Sequence, residues 1–153
     1  MTTTNREELL RVALRDLREA RRVVVDRLPE VASATDSLDT RLAFHNLIAR
    51  STEEMGVLAE MLREPDGEPN LWAGGIMEDA CRDVASTAAG PVRDVALIGA
   101  IRKFLAADIV SVETAIALAR NDEQKKGKAL DGFRQGASDL DHLLRDHLSH
   151  LAH

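Results

Sequence analysis

The chain has 153 residues, 44% apolar and 30% charged, with one Trp, three Phe and no Tyr. That is the length of one domain (residues 1–153), able to bury roughly two thirds of its unfolded surface, around a core that must rest on Leu, Val, Ile and Ala. The 20 basic and 26 acidic side chains give a formal charge of −6 with no basic stripe for phosphates, which excludes nucleic acid as the expected partner. The densest basic run, Gln124 to Lys128, reads as a solvated stretch at a helix start. No apolar run approaches the roughly 20 residues that cross a bilayer, so no membrane partner is expected. The N-terminus "MTTTNREELL" lacks the apolar stretch of a signal peptide, and the single Cys81 has no partner for an internal disulfide. A cytoplasmic location is the resulting expectation.

The periodicity predicts four long helices and one shorter one. The first begins at Thr4 or Asn5, with Glu7 and Glu8 in the first turn, where the helix dipole favours them. Leu10, Ala13, Leu17, Ala20 and Val24 recur at spacings of three and four, and the helix is expected to stop near Leu28-Pro29. The second starts near Ser37 or Asp39, presents Phe44, Ile48, Ser51, Met55, Leu58 and Leu62 on one face, and ends before the turn Glu64-Pro65-Asp66-Gly67. Arg50, Glu53, Glu54 and Glu60 fall on its polar face. A shorter segment from about Leu71 to Ala85 carries Trp72, Ile76, Met77, Ala80, Cys81 and Val84 on its apolar side. It is too long for a tight turn and gives the long crossover that some four-helix bundles use. The third long helix starts at Pro91 and runs to Ala119. The fourth runs from about Asp122 to the end, with Leu130, Phe133, Ala137, Leu140, Leu144, Leu148 and Leu151 on its seam. An all-α four-helix bundle with a long crossover and one short extra helix follows.

The run Gly90 to Asp108, "GPVRDVALIGAIRKFLAAD", resembles the start of the third long helix in the YciE/YciF-type ferritin-like proteins, roughly G-x-V-R-D-x-A-L-I-x-A-x-Q-K-V-E-H-Y-E. Asp16 to Arg22 followed by Leu28 to Ala32 is similar to that family's D-L-x-x-A-E-x-Q and L-P-x-x-A, and Gly74 to Glu78 takes the place of its short helix. The resemblance implies a ferritin-like bundle. It also implies a dimetal centre, which in such bundles needs carboxylates and His projecting inward from four helices. This chain departs from that pattern. Leu105-Ala106-Ala107-Asp108 stands where the family has its Glu-His-x-Glu box, and Arg21 stands at the family's first-helix Glu. The second-helix stretch Leu47 to Thr52 offers no carboxylate, and Phe133 and Arg134 replace the acidic pair of the fourth helix.

Two readings of the interior follow. In one, the Arg21 guanidinium replaces the ion's charge and pairs with Asp108 across the bundle; in the other, Arg21 reaches from the edge of the seam to water. The expected function is correspondingly a non-catalytic ferritin-like protein, without cofactor, acting in stress or partner binding. The alternative is an iron-binding protein whose ligands have moved to Asp108, Glu113, Asp139, His142 and His45. Asp139-x-x-His142 has ligand-pair spacing, while His147, His150 and His153 sit toward the C-terminus. A hemerythrin-like site is disfavoured because the first and third long helices carry no His. Cys81 reads as a small core residue and Gly74-Gly75 as a turn or close-packing point. A homodimer is expected, with the apolar segment around Trp72, Ile76 and Met77 as its surface, unless that segment closes its own bundle.

Overall fold

The structure, a computed structural model, describes residues 2–119 and 124–152. Its elements are α1 (Arg6–Ser33), α2 (Leu38–Leu62), α3 (Leu71–Ser86), α4 (Pro91–Leu118) and α5 (Gln124–Leu151). The described residues contain no strand, and no helix among them is long and apolar enough to cross a membrane. The expected start of α5 at Asp122, and His153, lie outside the described residues.

Each start has a local cause. The Asn5 side chain accepts from the Glu8 amide at 2.9 Å while the Glu8 carboxylate accepts from the Thr4 amide at 2.9 Å, satisfying donors that a helix start leaves bare. Ser37 and Asn70 cap α2 and α3 in the same way. α4 begins with Pro91 directly after Gly90, whose φ of 114° is one that only glycine adopts freely. One expected boundary is corrected: α1 does not stop at Pro29 but continues to Ser33. Proline removes one ladder hydrogen bond, yet Val31 and Ala32 beyond it are fully buried, and that burial holds the last turn in place.

The short 34–37 connection folds α2 back antiparallel to α1, and α4 and α5 form a second hairpin. Between them α3 runs alongside α1: Asn70 donates to the Asp16 carbonyl, and Arg27 pairs with Glu78 farther along. The chain is thereby carried back along the bundle, so that α4 starts beside the end of α1. There the buried Asp94 carboxylate accepts from the amides of Asp36 and Ser37 at 3.0 and 2.8 Å. Consequently α2 and α4 run parallel, the long crossover that a hairpin could not give.

α3 covers the groove between α1 and α4. Ala73, Met77 and Ala80 are fully buried, and Trp72 stacks at 5.5 Å on Phe104. The apolar side of α3 therefore closes its own bundle. Gly74 and Gly75 lie inside this helix with open space beside them rather than at a turn or a close contact. The apolar interior falls into two clusters. One holds Val24, Leu28, Phe44, Leu47, Ile101, Leu105 and Ala137, and the other Leu14, Leu17, Leu58, Val112, Leu130 and Phe133. The level between them is polar.

Candidate functional site: a charged layer across the bundle

The polar level is built from seam positions. Along α1 the inward residues recur as Leu14, Leu17, Arg21, Val24 and Leu28. Along α4 they recur as Leu97, Ile101, Asp108, Val112 and Ala115. On α2 the same alternation of three and four runs through Phe44, Leu47, Ser51, Glu54 and Leu58. Helical periodicity therefore carries Arg21, Asp108 and Glu54 inward as surely as it carries leucines. Arg21 and Asp108 are 2% and 3% exposed.

Arg21 meets Asp108 as a two-pronged pair, with Nη1 to Oδ1 at 2.8 Å and Nη2 to Oδ2 at 3.0 Å. Its Nε donates to Glu54 Oε1 at 2.9 Å, and Nη1 also donates to the Leu17 carbonyl at 3.1 Å. The ring of Phe133 on α5 lies 5.2 Å from Cζ, so the guanidinium is enclosed by hydrogen-bond acceptors and a π-face. The other oxygen of Glu54 accepts from Arg50 Nη2 at 3.2 Å. Arg50, Glu54, Arg21 and Asp108 thus form a chain of alternating charge with zero sum that enters from the α2–α5 side. It ends against α4, and all four long helices contribute to its surroundings.

Burial would draw the proton off Arg21, but the charges of Asp108 and then Glu54 outweigh it and hold its pKa above the ordinary value. Burial raises the Glu54 carboxyl, against the pull of Arg21 and Arg50. The donor set does not fit a divalent ion. Two carboxylates converge without any His, and a fixed cation stands between them, so an added ion would meet uncompensated like charge.

The other sequence candidates are dispersed. His45, Glu113, Asp139 and His142 are all exposed. Asp139 accepts from Gln135, the His142 ring contacts the Ser138 carbonyl on its own helix, and Glu113 lies 3.8 Å from Arg134. Among the described residues no group of three His, Cys, Asp or Glu is placed to hold a metal ion. His147 approaches Thr40 at 3.5 Å. Cys81 is half-buried and neighbours Arg27 at 3.4 Å rather than sitting in the core. Glu54 corrects the expectation that α2 supplies no inward carboxylate and that this residue belongs to the polar face. Its sequence signal is the spacing 51, 54, 58 within the seam.

A second buried pair stands near the first. Arg18 and Glu19, 2% and 4% exposed, meet at 2.9 Å, and Arg18 also donates to the carbonyls of Glu64 and Pro65 at 3.1 and 2.8 Å. Glu19 accepts from Arg22 at 2.8 Å and from the Gly67 amide at 3.5 Å. These contacts strap the 63–70 connection onto α1, which fixes where α3 begins.

The whole architecture has solved counterparts. The E. coli stress protein YciF superimposes with a TM-score of 0.92 at 22% identity, covering 98% of each chain. YcfI, a putative structural protein from Rhodopseudomonas palustris, gives 0.87 at 18% identity, over 93% of this chain and 94% of that one. At such identities the likeness shows the fold alone. No curated protein matches this chain. Residues 5–153 match the family described as domain of unknown function DUF892. With its five helices arranged as in YciF, the chain belongs to the DUF892 family.

Proposed function

We propose that this protein is a non-catalytic ferritin-like bundle in which a fixed guanidinium, Arg21, stands where ferritin-like relatives hold metal. The observation that carries the reading is the two-pronged Arg21–Asp108 pair with Glu54 on the remaining edge. The layer supplies a permanent positive charge between two carboxylates, so that the bundle keeps its interior polar level without an ion. Both Asp108 oxygens are engaged, and no His stands in the layer to relay a proton. The role is then one of surface and scaffold, in the stress response suggested by YciF or the structural role suggested by YcfI, carried out in the cytoplasm.

Elemental analysis of protein purified without a nickel column, followed by aerobic iron titration, tests this reading. Less than about 0.2 iron per chain, with no iron-dependent oxygen uptake, is the expected result. About two tightly held ions per chain would overturn it and restore the alternative of an iron site drawing on Asp108, Glu113, Asp139, His142 and His45.

A further inference from the structure

The sides of the bundle are not equally closed. The α1–α2 and α4–α5 hairpins pack intimately and α3 covers the groove between α1 and α4, whereas the α2–α5 side is the least closely packed of the four. A cavity of about 760 Å³, open to solvent, runs along it. Ala43 and Leu140 line its floor, and Leu42 and Leu143, 57% and 45% exposed, stand on its rims. At one end lies the Arg50 guanidinium, resting against Gly136 of α5. Its only protein partner among the described residues is Glu54, which Nη2 reaches at 3.2 Å. Nη2 carries two hydrogens, one beside that of Nε and one beside those of Nη1. Whichever of them Glu54 accepts, one complete two-donor edge of the guanidinium is left over. These nitrogens are not sealed from solvent. Such an edge, already held in place, matches the two oxygens of a carboxylate.

We infer that the α2–α5 groove binds an unbranched aliphatic monocarboxylate, its head group on the free edge of Arg50 and its tail along Ala43, Leu140 and Leu143 toward Asp39. Charge sets the head group. Glu54 already faces Arg50 and Asp139 lines the same groove, so one further negative charge is balanced by the guanidinium whereas a doubly charged phosphate meets repulsion. Length sets the tail. From Arg50 back to Asp39, which also lines the groove, α2 spans about 16 Å, the reach of an extended chain of about ten to twelve carbons. An alkyl tail fits better than a peptide because the walls are helix faces, whose backbone groups are already paired. The amides of a peptide would find no backbone partners there, while methylenes need none and cover the rim leucines. This inference does not depend on the absence of metal from the interior.

Titration of decanoate into the full chain at about pH 8, followed by calorimetry and by the backbone amide signals in ¹H–¹⁵N spectra, tests the assignment. One saturable site with a Kd of about 0.1–1 mM is expected, with the largest shifts at Gly132, Gly136 and Leu143 and none at Trp72. Octanoate, two half-covered methylenes shorter, should bind about fourfold more weakly. Arg50→Gln, its fold checked by circular dichroism, is expected to weaken decanoate binding by about tenfold or more. Leu143→Gln, at an exposed position that leaves Arg50 in place, should cost about fivefold. Leu71→Gln, at an 87% exposed position on α3, is expected to change nothing. No saturation up to about 10 mM decanoate overturns the proposal. So does equal binding of decyltrimethylammonium, which would mean adsorption of the tail alone, or of decyl phosphate, which would remove the charge selection. Tighter binding of the peptide acid acetyl-Leu-Leu-Leu would overturn it in favour of a peptide site.

Discussion

The guanidinium of Arg50 lies in the space that a side chain at Gly136 would fill: a Cβ there would stand 1.5 Å from Nη2 and 2.1 Å from Cζ. An arginine on α2 thus reaches Glu54 only because α5 has no side chain in its way. Alanine at this position gains about 1 kcal/mol of helix preference over glycine but must push Arg50 off Glu54. The two effects are of similar size, so Gly136→Ala is expected to change stability by less than about 1 kcal/mol. In an Arg50→Ala background the same substitution is expected to stabilise by about 1 kcal/mol, and urea denaturation of the four proteins in the cycle measures the coupling.

Removing the centre of the charged layer is a different matter. Arg21→Met leaves Asp108 buried without its cation and Glu54 with Arg50 alone, and a loss of about 3–5 kcal/mol is expected. An arginine that merely reached out to water from the seam would lose far less. Converting the whole unit to apolar residues, Arg21→Met with Glu54→Leu and Asp108→Leu, is expected to recover most of that loss. Chemical denaturation of the single and triple variants separates these outcomes.

Half-buried Glu54 and buried Glu19 bend the stability–pH curve in opposite directions. Burial raises Glu54 above its ordinary value of 4.5, and Arg21 and Arg50 offset this only in part. The folded state therefore holds this proton to higher pH than the unfolded chain. The contribution of Glu54 is full below 4.5 and is lost as pH rises through its folded value. Burial also acts to raise Glu19, but the hydrogen bonds of Arg22 and Arg18 outweigh it and bring its folded value below 4.5, so its contribution is present above that pH and lost in acid. Glu19→Gln is thus expected to flatten the acid limb of a stability profile. Glu54→Gln should become less unfavourable relative to wild type as the pH rises above 4.5.

Arg18 is expected to act locally. Arg18→Met leaves Glu19 without one of its cations and the carbonyls of Glu64 and Pro65 without their donor, for a loss of about 3 kcal/mol. Because these carbonyls belong to the 63–70 connection, limited proteolysis should cut there first in the variant while α4 and α5 keep their amide-exchange protection.

The helices were legible because seam leucines repeat at three and four along every long element, and Asn5, Ser37 and Pro91 mark starts that depend on local chemistry alone. The passage of α1 through Pro29 was not, since Val31 and Ala32 gain their burial only from distant partners. Arg21 stood out as a cation where the resembled family pattern has Glu, and Asp108 as the one acid kept from that pattern's Glu-His-x-Glu box. Glu54 was hidden by a one-residue choice of register. Reading α2 as Phe44, Ile48, Ser51 and Met55 turns Glu54 to solvent, whereas Phe44, Leu47, Ser51 and Glu54 turns it inward. Periodicity does not separate these two stripes, because half-buried Ile48 and Met55 flank the seam. The Arg50–Gly136 relation is invisible to any one-helix pattern, as it joins residues on different elements.

The alternating chain Arg50–Glu54–Arg21–Asp108 also constrains which sequences can neighbour this one. Change Arg21 or Asp108 alone and a bare charge stays behind in the interior, a loss of about 3–5 kcal/mol against the 5–15 kcal/mol by which a domain of about this size is folded. Paths of single substitutions away from this arrangement therefore run through poorly folded intermediates. The inner residues should be inherited, exchanged or abandoned together, so that among relatives of this chain an arginine at position 21 is found with acids at 54 and 108 and seldom without them.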